Sequence, residues 1–207
     1  MASKRYTFPG NQLPKGWLAT RFSQGGQNDG VWTRDIKDNK IYWTATSVGT
    51  ETLYWGEYLS IPVNATGDII IEATVRQKRT GGADSLLAIG FNYAPAIAGA
   101  NRYGTELSFW GWSNNGKCGR NNGVRTPFPG RPATNFVVPL GVDIVSMMRV
   151  VRKNGNVFLY IDGTFVGQYA YAPTITTVDI IAQWYVNHFP VEKWLQDLSI
   201  YPSSVVL

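Results

Sequence analysis

The sequence predicts an all-β fold, a β-sandwich (jelly roll) of two antiparallel sheets, and three observations support this. A central stretch, 145–171, contains three runs of β-forming residues that are separated by Asn154-Gly155 and Asp162-Gly163. Apolar and polar residues alternate in several further runs, whereas no run has the 3.6-residue period of a helix. The 22 Gly and 11 Pro suit a fold with many turns, and 44% hydrophobic residues are enough for a core.

The central stretch is predicted to be a meander of three antiparallel strands. Its two turn dipeptides, Asn-Gly and Asp-Gly, accept the positive φ angles that a two-residue type I′ hairpin requires. In the middle strand, Val157, Leu159 and Ile161 alternate with Phe158 and Tyr160. Because successive side chains of a strand point to opposite sides, these two sets are expected to lie on opposite faces of the sheet.

The sequence of this meander is similar to that of one superfamily. A strand and turn, Arg149-Val-Val-Arg-Lys-Asn-Gly155, is followed by Leu159-Tyr-Ile-Asp-Gly163 and then by Val166-Gly167. This order resembles concanavalin A-like lectin/glucanase domains, including their laminin-G-like branch. Trp194–Pro202 looks like the closing strand of those domains, and Leu13-Pro-Lys-Gly-Trp17 is similar to the way many of them begin. The resemblance implies a jelly roll and a function connected with carbohydrates.

Further strands are predicted where β-forming residues alternate or run together, and residues 1–207 are expected to form a single domain. The approximate ranges are 17–23, 31–36, 40–46, 52–61, 68–78, 85–93, 105–113, 136–140, 176–185 and 194–202. Pro62 is expected to end the fourth of these strands, because proline cannot donate to a strand ladder. Residues 114–135, which are rich in Gly, Asn and Pro, are expected to form a long loop.

The charge and the reactive residues exclude several classes of function. The net charge of +5 comes from dispersed Lys and Arg without a basic run, so no nucleic-acid partner is expected. A single cysteine, Cys118, excludes an intrachain disulfide, and a single histidine, His188, excludes multi-histidine zinc chemistry. There is neither a signal-peptide pattern nor an apolar run of membrane length, so no membrane insertion is expected.

An extracellular or surface-exposed location is expected, and a virion is the alternative because a virion or phage protein needs no signal peptide. The oligomeric state stays open. No cofactor is expected. Calcium is the alternative here, because Asp29, Asp35, Asp38 and Asn39 place hard oxygen ligands in one region of the sequence. These residues lack the spacing of a calcium loop, however, and they are ordinary turn residues.

The predicted function is non-catalytic recognition of a polysaccharide or surface glycan. Sugar rings stack on aromatic side chains while their hydroxyls pair with polar ones, so a site needs both kinds of residue. Period-two alternation in a strand over 105–113 places Glu106, Trp110 and Trp112 on one face, and this is the most ligand-like local pattern. The resemblance implies a ligand on the curved sheet or at its rim. The candidate ligand-binding residues are Tyr103, Glu106, Trp110, Trp112, Arg120, Arg125, Gln183, Tyr185, Asn187 and His188.

Eight of the ten candidates divide by chemistry into three groups. Trp110, Trp112 and Tyr185 would form the stacking platform, whereas Glu106, Gln183 and Asn187 would bond hydroxyls. Arg120 and Arg125 would favour an anionic glycan, because a guanidinium binds a carboxylate or sulfate in bidentate fashion.

Two other functions stay open. A structural or receptor-binding virion or phage protein would use the same sandwich for protein contacts, since a fold does not determine a function. A glycoside hydrolase or polysaccharide lyase is the second alternative. Laminarinase-type members carry a Glu-x-Asp-x-x-Glu strand that is absent here, and a retaining mechanism needs two carboxylates about 5 Å apart. The stretch Arg102–Ser108 faintly resembles a strand of alginate-lyase-type members, and Tyr185 and His188 would then be the acid and the base.

Overall fold

The computed structural model describes residues 3–23, 31–45, 54–65, 67–79, 85–92, 108–112, 119–121, 125–127, 143–171, 173–185 and 191–202. These residues form strands, turns and irregular segments, with no helix among them. The strands are β1 Lys4–Tyr6, β2 Leu18–Ser23, β3 Trp32–Lys37, β4 Lys40–Ala45, β5 Tyr54–Ala65, β6 Ile69–Arg79, β7 Ser85–Phe91, β8 Ser108–Trp112, β9 Gly119–Asn121, β10 Arg125–Pro127, β11 Asp143–Lys153, β12 Asn156–Ile161, β13 Thr164–Ala170, β14 Ile175–Tyr185 and β15 Val191–Pro202.

The strands form two antiparallel sheets, which confirms the predicted β-sandwich. Sheet I has the order β13-β12-β11-β6-β15-β4-β3, and β1 also pairs with β15. Sheet II has the order β10-β9-β8-β7-β14-β5-β2. Strands distant in sequence lie side by side in both sheets, as β6 and β15 do in sheet I and β5 and β14 do in sheet II.

One hydrophobic core fills the space between the sheets. Alternate residues of β14, namely Val178, Ile180 and Ala182, face it from sheet II. Leu195 of β15 and Ile71 of β6 face it from sheet I and are fully buried. The predicted alternation of β12 is confirmed, since Val157, Leu159 and Ile161 are buried in this core while the residues between them are partly exposed.

Two-residue turns join the strands of the meander as the sequence predicts. Asn154 and Gly155 have φ angles of 51° and 71°, and Asp162 and Gly163 have φ angles of 49° and 76°. All four residues lie in the left-handed region that a type I′ turn requires. Each turn connects adjacent antiparallel strands, so that β11, β12 and β13 form one continuous part of sheet I.

A bulge at Asp197 divides one side of β15 between two partners. The residue has a φ angle of 47° and interrupts the register between Gln196 and Leu198. Before the bulge β15 pairs with β4, and after it with β1. Arg5 of β1 lies 3.5 Å from the Asp197 carboxylate, which ties the N-terminal strand to the bulge.

Two sequence predictions about this fold are wrong. Pro62 does not end its strand, because β5 continues to Ala65. The pairing of β2 with β5 ends at Leu18 and Ser60, so the missing N–H of Pro62 interrupts no bond to β2. The expected loop over 114–135 contains β9 and β10, which pair with each other and extend sheet II beyond β8. The strand predicted at 136–140 lies outside the described residues.

Candidate functional site

The outer face of sheet II is the face opposite the shared core, and the alternation of β14 defines it. Ile180 points into the core, so its neighbours Asp179 and Ile181 point outward. Both residues are nevertheless almost fully buried, with exposed fractions of 0% and 1%. An ordinary solvent-facing side of a sheet would leave such positions exposed, so this face is shielded from solvent at Asp179 and Ile181.

Backbone pairing places one predicted aromatic residue in a row with described residues of this face. Trp110 of β8 is opposite Ala88 of β7, Ala88 is opposite Ile181, and Ile181 is opposite Tyr58 of β5. Neighbouring strands are about 4.8 Å apart, so this row extends over about 14 Å. The side chain of Trp110 lies outside what the structure describes.

A bulge in β8 separates Trp110 from Trp112. Trp112 is opposite Leu87, a core residue, whereas Trp110 is opposite Ala88 on the outer face, and the register shifts between these two pairs. The strict alternation that placed both tryptophans on one face is therefore interrupted in the backbone. Their membership of a common binding site stays a prediction.

A small apolar cluster, separate from the main core, lies on this outer face. It comprises the buried residues Phe22, Ala88 and Ile181, with the partly buried Tyr58 packed against them. The rings of Phe22 and Tyr58 have centroids 6.4 Å apart and are inclined at 41°. The cluster therefore presents a partly exposed tyrosine that is held in place by an apolar neighbour.

The central strands carry small residues beside this cluster. Gly90 and Ala88 occupy outer-face positions of β7, and Gly56 occupies an outer-face position of β5. These three residues have little or no side chain, and all three are buried. In the row itself, Ala88 and the larger Ile181 lie between Tyr58 and the position of Trp110.

Asp179 supplies a fixed carboxylate to the same face. It is fully buried, and it accepts hydrogen bonds from the hydroxyl of Ser60 and, at 2.9 Å, from Thr177 Oγ1. Among the described side chains of this face it is the only carboxylate. A carboxylate whose two oxygens both accept hydroxyl protons is oriented by its neighbours and is a structural anchor of the surface.

Six of the ten predicted ligand-binding residues lie on strands of sheet II. Trp110 and Trp112 are on β8, Arg120 and Arg125 are on β9 and β10, and Gln183 and Tyr185 are on β14. Gln183 and Tyr185 occupy the positions that alternate with the core residues Ala182 and Trp184, in the same series as Ile181. The structure describes only the backbone of these six residues. The other four, Tyr103, Glu106, Asn187 and His188, lie outside the described residues.

Sequence reasoning missed Phe22, Tyr58 and Asp179 as members of this face. For Tyr58 the sequence did contain a pattern, because Tyr58 and Ser60 of β5 alternate with the apolar residues Leu59 and Ile61. Pairing between β2, β5 and β14 brings these positions together, and a single sequence does not specify which strands pair.

Glu57 is a buried carboxylate on the opposite, core-facing side of sheet II. It accepts a hydrogen bond of 2.8 Å from Trp43 Nε1 and forms an ion pair with Arg34, so sheet I supplies both partners. Nearby in the core, Lys193 places its ammonium 4.0 Å from the ring centroid of Trp184. These contacts join the two sheets and are directed away from the outer face.

The candidate calcium ligands have structural roles where they are described. Asp35 pairs with Lys37 at 2.9 Å, and Asp38 and Asn39 form the turn between β3 and β4 with φ angles of 52° and 58°. Asp29 lies outside the described residues. Across the described part of the chain, no three His, Cys, Asp or Glu side chains are grouped so that they could hold a metal ion.

Solved structures share this architecture, and the chain has the concanavalin A-like jelly-roll fold. One is a structure reported for endo-acting O-glycanases that members of the human gut microbiota express to initiate mucin breakdown. It has a TM-score of 0.66 and 13% identity, and the match covers 96% of this chain and 98% of the other. A second is a prokaryotic β-1,3-1,4-glucanase (lichenase) from a mouse hindgut metagenome, with a TM-score of 0.61, 10% identity and coverage of 98% and 100%.

A third similar structure is the CBM2 module of the evolved Dit protein of Lactobacillus casei BL23 phage J-1. Its TM-score is 0.55 with 12% identity, and the match covers 96% of this chain and 95% of the module. Sequence comparisons gave no matching family model and no matching curated protein. At these identities the similarity establishes the fold alone. The described residues also include no helix that is long and apolar enough to cross a membrane.

Proposed function

We propose that this protein is a non-catalytic carbohydrate-binding domain that recognises a polysaccharide or surface glycan on the outer face of sheet II. The observation that carries the proposal is the second apolar cluster, in which Phe22 and Ile181 support a partly exposed Tyr58 outside the main core. A rigid, partly exposed aromatic ring is what a sugar ring requires for stacking.

The length of the surface fits a chain of sugars. The row from the Trp110 position to Tyr58 crosses four strands, so two aromatic positions lie about 14 Å apart on this face. In this proposal Trp110 and Tyr185 complete the stacking surface, and Gln183 bonds hydroxyls. Arg120 and Arg125, on the strands that extend sheet II, bind an anionic substituent where the glycan has one.

The polar groups of this face support binding more than hydrolysis. A retaining glycosidase needs two carboxyl groups about 5 Å apart, and an inverting enzyme needs two about 6.5–9.5 Å apart. The outer face of sheet II has one carboxylate among its described side chains, and hydroxyl groups engage both of its oxygens. Similar folds include glucanases as well as a carbohydrate-recognition domain and a phage CBM2 module, so both classes of function use this architecture.

The phage module also supports the second candidate function, a receptor-binding role on a virion. In that case the same face binds a glycan on the surface of a host cell. Either role takes place outside the cell or at a surface, and we propose this location for the protein.

The proposal is tested by titrating the protein with neutral and acidic polysaccharides while tryptophan fluorescence and product release are followed. We expect a saturable fluorescence change without new reducing ends or unsaturated product. Tyr58→Ala should weaken this binding about tenfold, since a stacked aromatic ring contributes about 1 kcal/mol or more. Urea unfolding of the variant checks that the fold is retained.

The matched control is Tyr6→Ala. Tyr6 is also a partly buried strand tyrosine, but it packs against the main core, and its ring centroid lies 5.0 Å from that of Trp17. Its removal should leave the affinity unchanged. Equal losses for both variants, or product formation by the wild type, would contradict the proposed function.

A further inference from the structure

A continuous row of accessible residues crosses the outer face of sheet I. Backbone pairing aligns one residue from each of six neighbouring strands, in the order Phe165, Tyr160, Arg149, Glu72, Ser199 and Arg5. Each of them is exposed or partly exposed. With strands about 4.8 Å apart, the row is about 24 Å long, which is the scale of a short oligosaccharide.

The first part of this row is aromatic and apolar. The rings of Tyr160 and Phe165 are 5.6 Å apart and inclined at 60°, and Phe165 is 39% exposed. Beside them on β11, Met147 is 43% exposed and Val145 is 52% exposed. Val145, Met147 and Phe165 are three of the five exposed large hydrophobic residues in the described part of the chain. Clustering of this kind marks a binding surface more often than scattered exposed residues do.

The middle of the row is a polar cluster around Glu72. Arg149 Nε lies 3.3 Å from Glu72 Oε1, and Tyr201, which is 7% exposed, is a neighbour of Glu72. In the described part of the chain, Arg149 Nε and Tyr201 Oη are both buried without a well-formed hydrogen bond. Both atoms are shielded from solvent, so they position the Glu72 carboxylate and do not themselves reach a ligand.

Three ion pairs lie on this face. Arg149 pairs with Glu72, Arg5 pairs with Asp197 at 3.5 Å, and Arg76 pairs with Glu192. A surface with paired charges has little net attraction for a strongly charged partner. Aromatic rings in line with hydroxyl- and carboxylate-type partners instead match a neutral chain that has both C–H faces and hydroxyl groups.

We propose that the outer face of sheet I is a second glycan-binding surface, specific for a neutral polysaccharide, with Tyr160 and Phe165 as the stacking platform and the Arg149–Glu72 pair as the hydroxyl-binding centre. It lies on the sheet opposite to the surface proposed above, and either surface can fail without the other. A protein with both surfaces binds two glycan segments and cross-links long chains.

The methionines provide a direct test by methyl NMR of the full chain labelled with ¹³C-methyl methionine. Met147 is exposed on the proposed surface, whereas Met148, the next residue, is fully buried in the core. With laminarin, mixed-linkage β-glucan and a neutral galactan as probes, we expect one of them to shift the Met147 signal saturably and to leave Met148 unchanged. Met147→Leu assigns the signal.

Variants of the two surfaces separate the two proposals. Tyr160→Ala should abolish the Met147 shift, and Tyr58→Ala should leave it in place. A probe can change the tryptophan fluorescence of the wild type, lose this effect in Tyr58→Ala, and leave the Met147 signal unshifted. In that case the sheet I proposal is overturned and the sheet II proposal stands. The reverse pattern overturns the sheet II proposal alone.

Two further outcomes also decide the sheet I proposal. A Met147 shift that depends on protein concentration without any glycan would show that this face packs against a second copy, and it would overturn glycan binding there. No Met147 shift with any of the three neutral probes would overturn the proposal as well. Glu72→Gln preserves the shape of the cluster and removes the ion pair, and it should weaken a genuine Met147 response about fivefold or more.

Discussion

Glu57 is a carboxylate inside the core, and two donors from sheet I hold it there. Its exposed fraction is 3%, and it bonds both Trp43 Nε1 and the guanidinium of Arg34. Glu57→Ala leaves a partly buried arginine and a buried indole N–H without their acceptor. We expect this to lower the free energy of unfolding by about 3 kcal/mol, measured by urea denaturation.

The control for Glu57 is an ion pair at the surface. Asp35 and Lys37 are 2.9 Å apart, but their side chains are more than half exposed. Solvent already screens this pair, so Asp35→Ala should not shift the urea midpoint measurably. An unchanged midpoint for Glu57→Ala would show that the bonds between the sheets contribute nothing to stability.

The ionisation of the buried Tyr201 hydroxyl determines part of the response of stability to alkaline pH. The pKa of Tyr201 is raised well above the ordinary value of 10.0. Burial is the main cause, and the neighbouring Glu72 carboxylate is the second. Below pH 10 the tyrosine is neutral in both states, and its contribution to stability is complete. As the pH rises above 10, the unfolded chain releases the proton while the folded chain keeps it, so stability falls.

Tyr201→Phe removes this titration and is the test of it. Urea unfolding at pH 9, 10 and 11 should show a smaller loss of stability for the variant than for the wild type above pH 10. The comparison is between the two proteins, because the other tyrosines contribute equally to both. Parallel pH profiles would contradict the assignment of a raised pKa to Tyr201.

Among the elements, the β12–β13 hairpin depends on one glycine conformation. Gly163 has a φ angle of 76°, and an added Cβ would meet no atom within 4 Å, so only backbone strain opposes a substitution. Gly163→Ala should therefore cost about 1–2 kcal/mol in thermal or urea unfolding. Gly10→Ala is the control, because Gly10 is equally open and does not have a positive φ. Equal stability of the two variants would argue against strain at the turn.

Elements governed by local sequence were predictable, and those governed by pairing were not. The Asn154-Gly155 and Asp162-Gly163 turns are encoded in two residues each, and the structure confirms both. Pro62 was predicted to end its strand, and this was wrong because the effect of a proline depends on where the partner strand stops. Here the pairing with β2 ends at Ser60, before Pro62. The strands β9 and β10 have three residues each, too few for an alternating pattern to be visible.

The same distinction applies to the candidate site. Alternation along β14 separates the positions of Gln183 and Tyr185 from those of the core residues Ala182 and Trp184. Alternation along β8 does not continue past its bulge, and a bulge is invisible in the sequence of one strand. Phe22 and Tyr58 came together only through the pairing of β2 with β5.

At the scale of the whole molecule, both sheets share a single core. Buried tryptophans lie throughout it, with Trp17 near the N-terminal strand, Trp32 and Trp43 on sheet I and Trp184 on sheet II. Trp32 and Trp184 are in contact across the sandwich, with ring centroids 5.8 Å apart. Neither sheet can bury its inner face alone, so the sheets should unfold together.

This arrangement predicts a single cooperative transition. In urea, tryptophan fluorescence, which reports the core, and far-UV circular dichroism, which reports the strands, should have the same midpoint and the same slope. A bound glycan stabilises the native state by an amount that grows with the logarithm of its concentration above Kd, so an excess of polysaccharide should move both curves together to higher urea. A dichroism curve that lags behind fluorescence would mean that one sheet persists after the core has opened. The shift that a glycan causes would then have to be measured for each transition separately. Only a shared core couples the outer faces of sheets I and II to one unfolding equilibrium.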